Sequence, residues 1–220
     1  MPEAGVLKQR IANALNRDDL GSYIDTWLET SHLNIQNVQD WKAQEEDYGV
    51  AATSILWNIT LPTDFRAPIL LARVAGLTTT VALVPTSFYV RQSYQDVLSA
   101  RLNTNETLLA TALAAEELTP IYDIYENRIE IFPENDVTSD HFRLLYYKIM
   151  SLPIDGVSDW FTTNCADFLL YDSLLQAIPF LGGNDDRIQN WTVMRDRALQ
   201  RAIGINVNFT YGGASLVMRG

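Results

Sequence analysis

Apolar residues recur at helical spacing near both ends of this chain. Residues 3–16 and 19–40 each carry an apolar stripe at steps of three and four, which predicts two amphipathic helices, with Asp18 placed to cap the second. Residues 158–203 show two further helical patterns on either side of Gly182-Gly183-Asn184. Glycine readily takes the left-handed backbone found after a helix C-terminus, so this sequence predicts a helix-turn-helix hairpin.

The middle of the chain changes to a period of two, which is typical of β-strands. A hairpin is expected to turn at Glu126-Asn127, and the acidic run Glu45-Glu46-Asp47 is interpreted as a solvated loop. The predicted strands are 53–61, 70–74, 79–84, 120–125, 128–132 and 141–149, and the predicted helices among them are 94–102 and 106–117.

These patterns predict an α+β protein that is mainly a helical bundle. The N-terminal helices pack with the C-terminal hairpin, a β-rich insert interrupts them, and an extended C-terminal arm follows. A single domain is expected over residues 1–203, followed by an arm over 204–220. Within that domain the helical body covers 1–48 and 156–203, and the insert covers 49–155.

The arm is predicted from alternating apolar residues at Ile205, Val207, Phe209 and Tyr211. A strand of this kind has no obvious partner in its own chain, and extended segments often add to the surface of a neighbour. An edge strand folded back on its own domain, or a frayed end, is the alternative.

Composition limits the classes of function. The net charge is −11 and the pI is about 4.5, so the isolated chain is not expected to grip nucleic acid, which is bound mainly through Lys and Arg. An acidic wall is nevertheless compatible with DNA that slides past it. No apolar run reaches the length of a membrane helix, and the first residues lack the layout of a signal peptide, so folding in a cytoplasm is expected.

No pattern typical of catalysis stands out. The two histidines, His32 and His141, lack a second ligand at metal-binding spacing and are interpreted as structural, and Cys165 as a buried small hydrophobe. No phosphate-binding loop, nucleophile elbow or dinucleotide motif occurs. The prediction is therefore a protein that is not an enzyme, with no catalytic, cofactor-binding or metal residues and no cofactor.

Several short motifs follow the order found in the adaptor, or head-to-tail connector, proteins of tailed phages, and the chain resembles that family over most of its length. Upstream they are Asp18-Asp19-Leu20, Tyr23-Ile24-Asp25, Trp27-Leu28, Leu61-Pro62-Thr63-Asp64-Phe65, Ile129-Glu130-Ile131-Phe132-Pro133 and Leu144-Leu145-Tyr146-Tyr147. In the hairpin they are Trp160, Asn164, Asp167, Leu169-Leu170-Tyr171, Leu174-Leu175, Ala177, Pro179-Phe180-Leu181, Asp185-Asp186-Arg187 and Trp191.

The resemblance implies a structural virion protein at the capsid–tail junction, assembled in the cytoplasm of a bacterial host. It implies a ring of about twelve copies beneath the portal, which would carry a charge of roughly −130 in total. The ring would join the capsid to the tail, support the tail nozzle and tail fibre proteins, and line a channel through which viral DNA passes without specific binding. No membrane is involved.

Two sets of interface residues follow from this interpretation. The C-terminal set is expected to bind the portal, and the arginines of the last helix to pair with a neighbouring copy, the alternative being a solvated face. The portal set is Ile205, Val207, Phe209, Tyr211, Leu216 and Val217, and the inter-subunit set is Arg187, Arg195, Arg197 and Arg201.

Two other functions remain open at this point. One is a virion-associated cell-wall hydrolase, which would need two carboxylates facing each other across a cleft. The other is a different head-completion or tail structural protein, because a fold alone does not fix a role.

Overall fold

The chain forms two compact units, one of residues 1–44 and 149–220 and the other of residues 45–148. Each unit has its own buried hydrophobic core. The structure is a computed structural model that describes residues 3–17, 19–51, 56–74, 85–93, 121–135, 141–181 and 187–211.

The first unit is helical and is built around one central helix. Its elements are α1 (Ala4–Leu15), α2 (Gly21–Gln36), α3 (Trp160–Asn164), α4 (Ala166–Gln176) and α5 (Arg187–Tyr211), with short 3-10 turns at Lys42–Gln44 and Ile178–Leu181. Helix α4 contacts α1, α2 and α5. A helix with neighbours on several sides needs apolar residues around its circumference, and α4 buries Phe168, Leu169, Leu170 and Leu174.

The helices that the sequence pattern predicted near the N-terminus and in the two arms of the C-terminal hairpin are confirmed, with one difference. The first arm is interrupted at Cys165, which ends α3 and begins α4. Cys165 is buried, as predicted, and burial raises the pKa of its thiol to about 12. Asp18 and Gly182-Gly183-Asn184 lie outside the described residues, and Leu20 occupies the position before α2 with no side-chain cap.

The second unit is a seven-stranded sheet in the order β1-β7-β3-β4-β5-β6-β2. All pairs are antiparallel except β4 with β5. The strands are β1 (Glu45–Ala51), β2 (Leu56–Thr60), β3 (Phe65–Val74), β4 (Pro85–Arg91), β5 (Ile121–Tyr125), β6 (Arg128–Asn135) and β7 (His141–Lys148).

The connection between β1 and β2 forces this sheet to curl. The two strands follow each other along the chain but lie at opposite edges of the sheet. A flat sheet would place edges six strand spacings apart, about 29 Å, whereas the five steps from Ala51 to Leu56 span at most about 18 Å. The sheet is accordingly nearly closed, and its inner side holds Leu71, Ile131, Phe142 and other buried residues.

The prediction of a mainly helical bundle with a β-rich insert is therefore wrong. The nearly closed sheet is a compact unit with a hydrophobic core of its own rather than an appendage of the helices. The hairpin at Glu126-Asn127 and the strand beginning at His141 are confirmed. The acidic run Glu45-Glu46-Asp47 starts β1 instead of forming a loop, and charged side chains are common on such edge strands. The predicted strand 79–84 and the predicted helices 94–102 and 106–117 lie outside the described residues.

The extended strand predicted at Ile205–Tyr211 is also wrong, because α5 continues as a helix to Tyr211. The alternating apolar residues include the pairs 205/209 and 207/211, which also lie on one helix face at a spacing of four. Extending an existing helix avoids the cost of nucleation, which favours continuation over a new strand. The remaining residues of the predicted arm, 212–220, lie outside the described part of the chain.

The Leu61–Phe65 motif forms the expected turn after a strand and packs onto β7. The Tyr146 hydroxyl donates a hydrogen bond to Asp64 Oδ1 at 2.9 Å, and the Phe65 ring stacks on the Tyr146 ring with centroids 5.7 Å apart. Burial, followed by this hydrogen bond, raises the pKa of Tyr146 to about 12. Asp64 and Phe65 of this motif therefore have a structural role, because their contacts with Tyr146 fix the β2–β3 turn against β7. This pair of contacts is called here the turn lock.

Replacing Tyr146 tests the turn lock. Tyr146→Phe should lower the free energy of unfolding at pH 7 by about 1–2 kcal/mol, because it leaves the Asp64 carboxylate without its donor. In the wild-type protein the raised pKa makes stability fall as the pH rises from 10 to 12, since the unfolded state loses the Tyr146 proton first. Urea unfolding should show that this fall is smaller in Tyr146→Phe. The exposed Tyr23→Phe is the matched control, and equal effects of the two changes would contradict the turn lock.

Candidate assembly surface

Helix α5 is held in the helical unit by one buried side. Trp191, Ala198 and Ala202 lie on this side and belong to the hydrophobic core. Small alanines at two of these positions allow close packing against α4. The guanidinium of Arg187 lies 5.0 Å from the centroid of the Trp191 ring and donates a hydrogen bond to the carbonyl of Ala14. The N-terminal half of α5 is thereby tied to α1 as well.

The end of α5 is fixed by a buried asparagine that pattern reasoning missed. Asn206 Oδ1 accepts a hydrogen bond from the backbone N–H of Lys42 at 3.0 Å, and its Nδ2 donates to the carbonyl of Asp40. A buried amide with both ends bonded to backbone fixes the helix against the segment that leads into β1. A polar residue between the apolar Ile205 and Val207 gave no sequence signal for this role.

The opposite side of α5 is exposed over the part whose side chains are described. Every member of a row spaced by three and four residues is exposed, from Asn190 to Val207, and no member is acidic. That spacing keeps side chains on one face of a helix. The row, called here the α5 stripe, consists of Asn190, Val193, Arg197, Gln200, Gly204 and Val207.

The four arginines predicted at a subunit interface do not share one environment. Arg187 is engaged with α1 and Trp191, and Arg195 pairs with its neighbour Asp196 at 2.7 Å and approaches Asp172 at 3.9 Å. Arg201 lies beside the α5 stripe and reaches Asp167 at 3.3 Å while 69% of its side chain is exposed. Arg197 is exposed, and no described residue forms an ion pair with it. Arg197 and Arg201 are thus the two best placed to reach another molecule.

The residues predicted to bind the portal are only partly described. Ile205 is half-buried and Val207 is exposed on the α5 stripe. Phe209 and Tyr211 belong to the last turns of α5, and their side chains lie outside the description, as do Leu216 and Val217 altogether. Their role in portal binding stays a prediction.

Helix α3 and helix α2 are joined by a buried histidine–carboxylate pair. His32 is fully buried, and its Nε2 lies 2.7 Å from Asp159 Oδ2. The other oxygen of Asp159 accepts the backbone N–H of Thr162 and so caps α3, while the Thr162 hydroxyl accepts the backbone N–H of Asp159. This arrangement supports the interpretation of His32 as structural. His141 begins β7, and its side chain lies outside the description.

A glutamine on the next turn of α2 completes this network. The Gln36 side chain accepts the backbone N–H of Met150 and donates to its carbonyl, both at 2.8 Å, and also accepts from Gln44 Nε2. With the amide oriented in this way, its NH₂ group lies 3.0 Å from His32 Nδ1. The same NH₂ group lies 3.0 Å from the backbone carbonyl of His32, so Gln36 connects His32 to the chain around Met150.

Removing the carboxylate of Asp159 should be costly. Asp159→Ala removes the α3 cap and leaves the buried Nε2–H of His32 unpaired, so we expect a loss of about 2–4 kcal/mol of unfolding free energy. Burial alone would raise the pKa of Asp159, but the hydrogen bonds from His32 and Thr162 outweigh it and hold the pKa low. The stabilisation is thus complete above about pH 4 and is lost as the pH falls further. The exposed Asp155→Ala should cost less than about 1 kcal/mol, and a similar loss for both changes in thermal unfolding would contradict this assignment.

The α5 stripe contains an exposed glycine, Gly204, although neither the helix geometry nor its neighbours require a glycine there. A Cβ added to Gly204 would meet no atom within 4 Å, and the surrounding backbone is helical. Glycine destabilises a helix interior by about 0.5–1 kcal/mol relative to alanine. The chain therefore carries a glycine at a position where its own fold favours alanine.

Substitution of this glycine tests that conclusion directly. Gly204→Ala should raise the free energy of unfolding of the isolated protein by about 0.5–1 kcal/mol, measured by urea unfolding. Gly156→Ala is the control and should instead lower the free energy of unfolding, because the φ of 88° at Gly156 is a conformation that alanine rarely adopts. A loss of stability in Gly204→Ala would show that the helix needs the glycine itself.

The groove between α1 and α2, about 440 Å³ in volume, brings two carboxylates together. Both Asp25 and Asp155 bind the ammonium group of Lys8, at 3.0 and 2.9 Å, and both are more than half exposed. The hydrogen bond that the Lys8 ammonium donates to Asp155 is the largest effect that raises the pKa of Lys8. A hydrolase needs two carboxylates that face a substrate across a cleft, whereas both of these carboxylates are already bonded to the same ammonium group and open to solvent. This groove offers no support for a hydrolase.

Within the described residues, no group of three or more His, Cys, Asp or Glu side chains could hold a metal ion. The helices in the described part of the chain include none that is both long and apolar enough to cross a membrane.

Comparison with known proteins identifies one relationship. A family model described as SU10 adaptor protein matches residues 3–216, nearly the whole chain. The match confirms the resemblance to head-to-tail adaptors that the ordered motifs predicted. No curated protein matches the chain.

Proposed function

We propose that this chain, which belongs to the SU10 adaptor protein family, forms a ring that joins a phage capsid to its tail. Membership of the family implies a structural component of a phage virion that assembles with other head and tail proteins. The family match over residues 3–216 is the observation that carries the proposal. The ring of about twelve copies, its place beneath the portal and its contacts with nozzle and fibre proteins are the proposed details.

The charge of the chain supports a position around passing DNA. Residues 45–148 contain fourteen Asp and Glu against seven Lys and Arg, so most of the net charge of −11 belongs to the β unit. A channel lined by negative charge repels phosphate groups, and DNA that is not bound can move through it. We therefore propose that copies of this protein line the DNA exit channel without binding DNA specifically.

The C-terminal residues are proposed to dock on the portal. Helix α5 ends at Tyr211, and nine residues follow it, including the apolar Leu216 and Val217. We propose that the docking segment follows Tyr211, because residues up to Tyr211 belong to the helix and Asn206 is bonded to the body of the unit.

Truncation at two points separates docking from folding. Removal of residues 212–220 should leave the melting temperature within about 2 °C of wild type, since no described contact is lost, yet abolish co-sedimentation with portal rings. Removal of residues 204–220 should also lower the melting temperature, because the bonds of Asn206 are lost. Normal portal binding by the shorter truncation, with 212–220 absent, would end the docking proposal.

Particles assembled without this protein test the proposed function. Heads that lack it should accumulate without tails in negative-stain electron micrographs and should lose packaged DNA, while wild-type protein supplied separately should restore joined particles. Normal tail attachment in its absence would contradict an adaptor role. A hydrolase role would instead leave assembly intact and reduce digestion of peptidoglycan by purified virions.

A further inference from the structure

The α5 stripe has two features for which contacts within the single chain give no reason. Gly204 leaves an open notch where alanine would be more stable, and Arg197 has no ion-pair partner among the described residues. Arg201 lies one helical turn from Arg197 on the same side and is mostly exposed. Together they make a shallow surface with a notch and two positive charges, bordered by the apolar Val193 and Val207.

The tip of the β5–β6 hairpin has complementary features. Glu126 is exposed and adopts a φ of 54°, a left-handed conformation in which glycine or asparagine would be locally more favourable. No described residue forms an ion pair with its carboxylate. Beside it, Tyr125 is 40% exposed, with the Arg128 guanidinium 5.7 Å from the centroid of its ring. The tip thus presents a free carboxylate and an aromatic ring on a two-residue turn.

Three acidic residues on the strands of the sheet already form ion pairs within the chain. Asp47 pairs with Arg143, Glu46 with Lys148 at 2.6 Å, and Asp123 with Arg91 at 3.3 Å. Among these described carboxylates, Glu126 is the one left to pair with another molecule. Charge complementarity across an interface fixes register and suppresses wrong partners. The unpaired Glu126 carboxylate on one surface therefore matches the unpaired Arg197 on the other, and the mostly exposed Arg201, which also reaches Asp167, adds a second positive charge beside it.

We propose that the β5–β6 hairpin tip of one copy docks on the α5 stripe of the next copy, with Glu126 between Arg197 and Arg201 and the turn seated over Gly204. The absence of a Cβ at Gly204 lets a backbone turn approach the helix closely, and Tyr125 covers Val193 or Val207. Since the two surfaces differ, the contact is head-to-tail and closes into a ring when the rotation between copies permits. This assignment rests on the proposed ring and names the surfaces that build it.

A disulfide between the two surfaces tests the contact in assembled particles. The double variant Glu126→Cys/Gly204→Cys, mildly oxidised, should give a ladder of covalent multimers on non-reducing gels. Each single-cysteine variant should give no ladder, because the native Cys165 is buried. An intramolecular disulfide, or the absence of a ladder from particles that contain the protein, would overturn the assignment.

Charge reversal provides an independent readout. Arg197→Glu and Glu126→Arg should each reduce incorporation into particles by about tenfold, and the combined variant should recover most of it. Glu29→Arg, on an exposed part of α2, is the control for charge and should have no effect. If both reversals are incorporated normally while heads without the protein still fail to gain tails, this surface is wrong and the adaptor function stands. If heads gain tails without the protein, the adaptor function itself fails.

Discussion

The helical unit consists of two chain segments separated by more than one hundred residues, and it exists only because contacts between these segments hold them together. Residues 1–44 supply α1, α2 and the segment that leads into β1, and residues 149–220 supply α3, α4 and α5. Apolar packing around α4 brings the segments together, and directional bonds fix their register. These bonds are the pairs His32–Asp159, Gln36–Met150, Ser31–Ser173 and Asn206–Lys42.

This division has a consequence for assembly. Because α5 is anchored both by its buried side and by the bonds of Asn206, its exposed side up to Val207 is a surface that is already formed in the single chain. Such a surface loses little conformational entropy on binding, which favours specific contacts between copies. The sheet unit contributes in a similar way, since the nearly closed sheet leaves the β5–β6 turn as a short, well-supported projection. An adaptor that must fit several neighbours at once benefits from surfaces that are already formed.

The sequence predicted the regular elements better than their organisation. Stripes at helical spacing identified α1 and α2, and the Glu126-Asn127 turn identified β5 and β6, because those signals are local. The sequence did not indicate that the strands form a separate compact unit, because strand order depends on pairings between residues far apart in the chain, such as those of β1 with β7. The pattern at Ile205–Tyr211 was misread because a short alternation also satisfies helical spacing. Among candidate site residues, the partners of Arg187 and Arg195 and the roles of Gln36 and Asn206 had no sequence signal, since each depends on a contact between separate segments.

Cryo-electron microscopy of the head–tail junction would show where each copy of this chain lies in the particle. We expect a closed ring of identical copies between portal and tail, in which the hairpin tip at Glu126 of each copy rests on α5 of its neighbour. The negatively charged sheet units, residues 45–148 of each copy, should surround the DNA path. Density for this chain elsewhere in the particle, or as a single copy outside any ring, would contradict this arrangement.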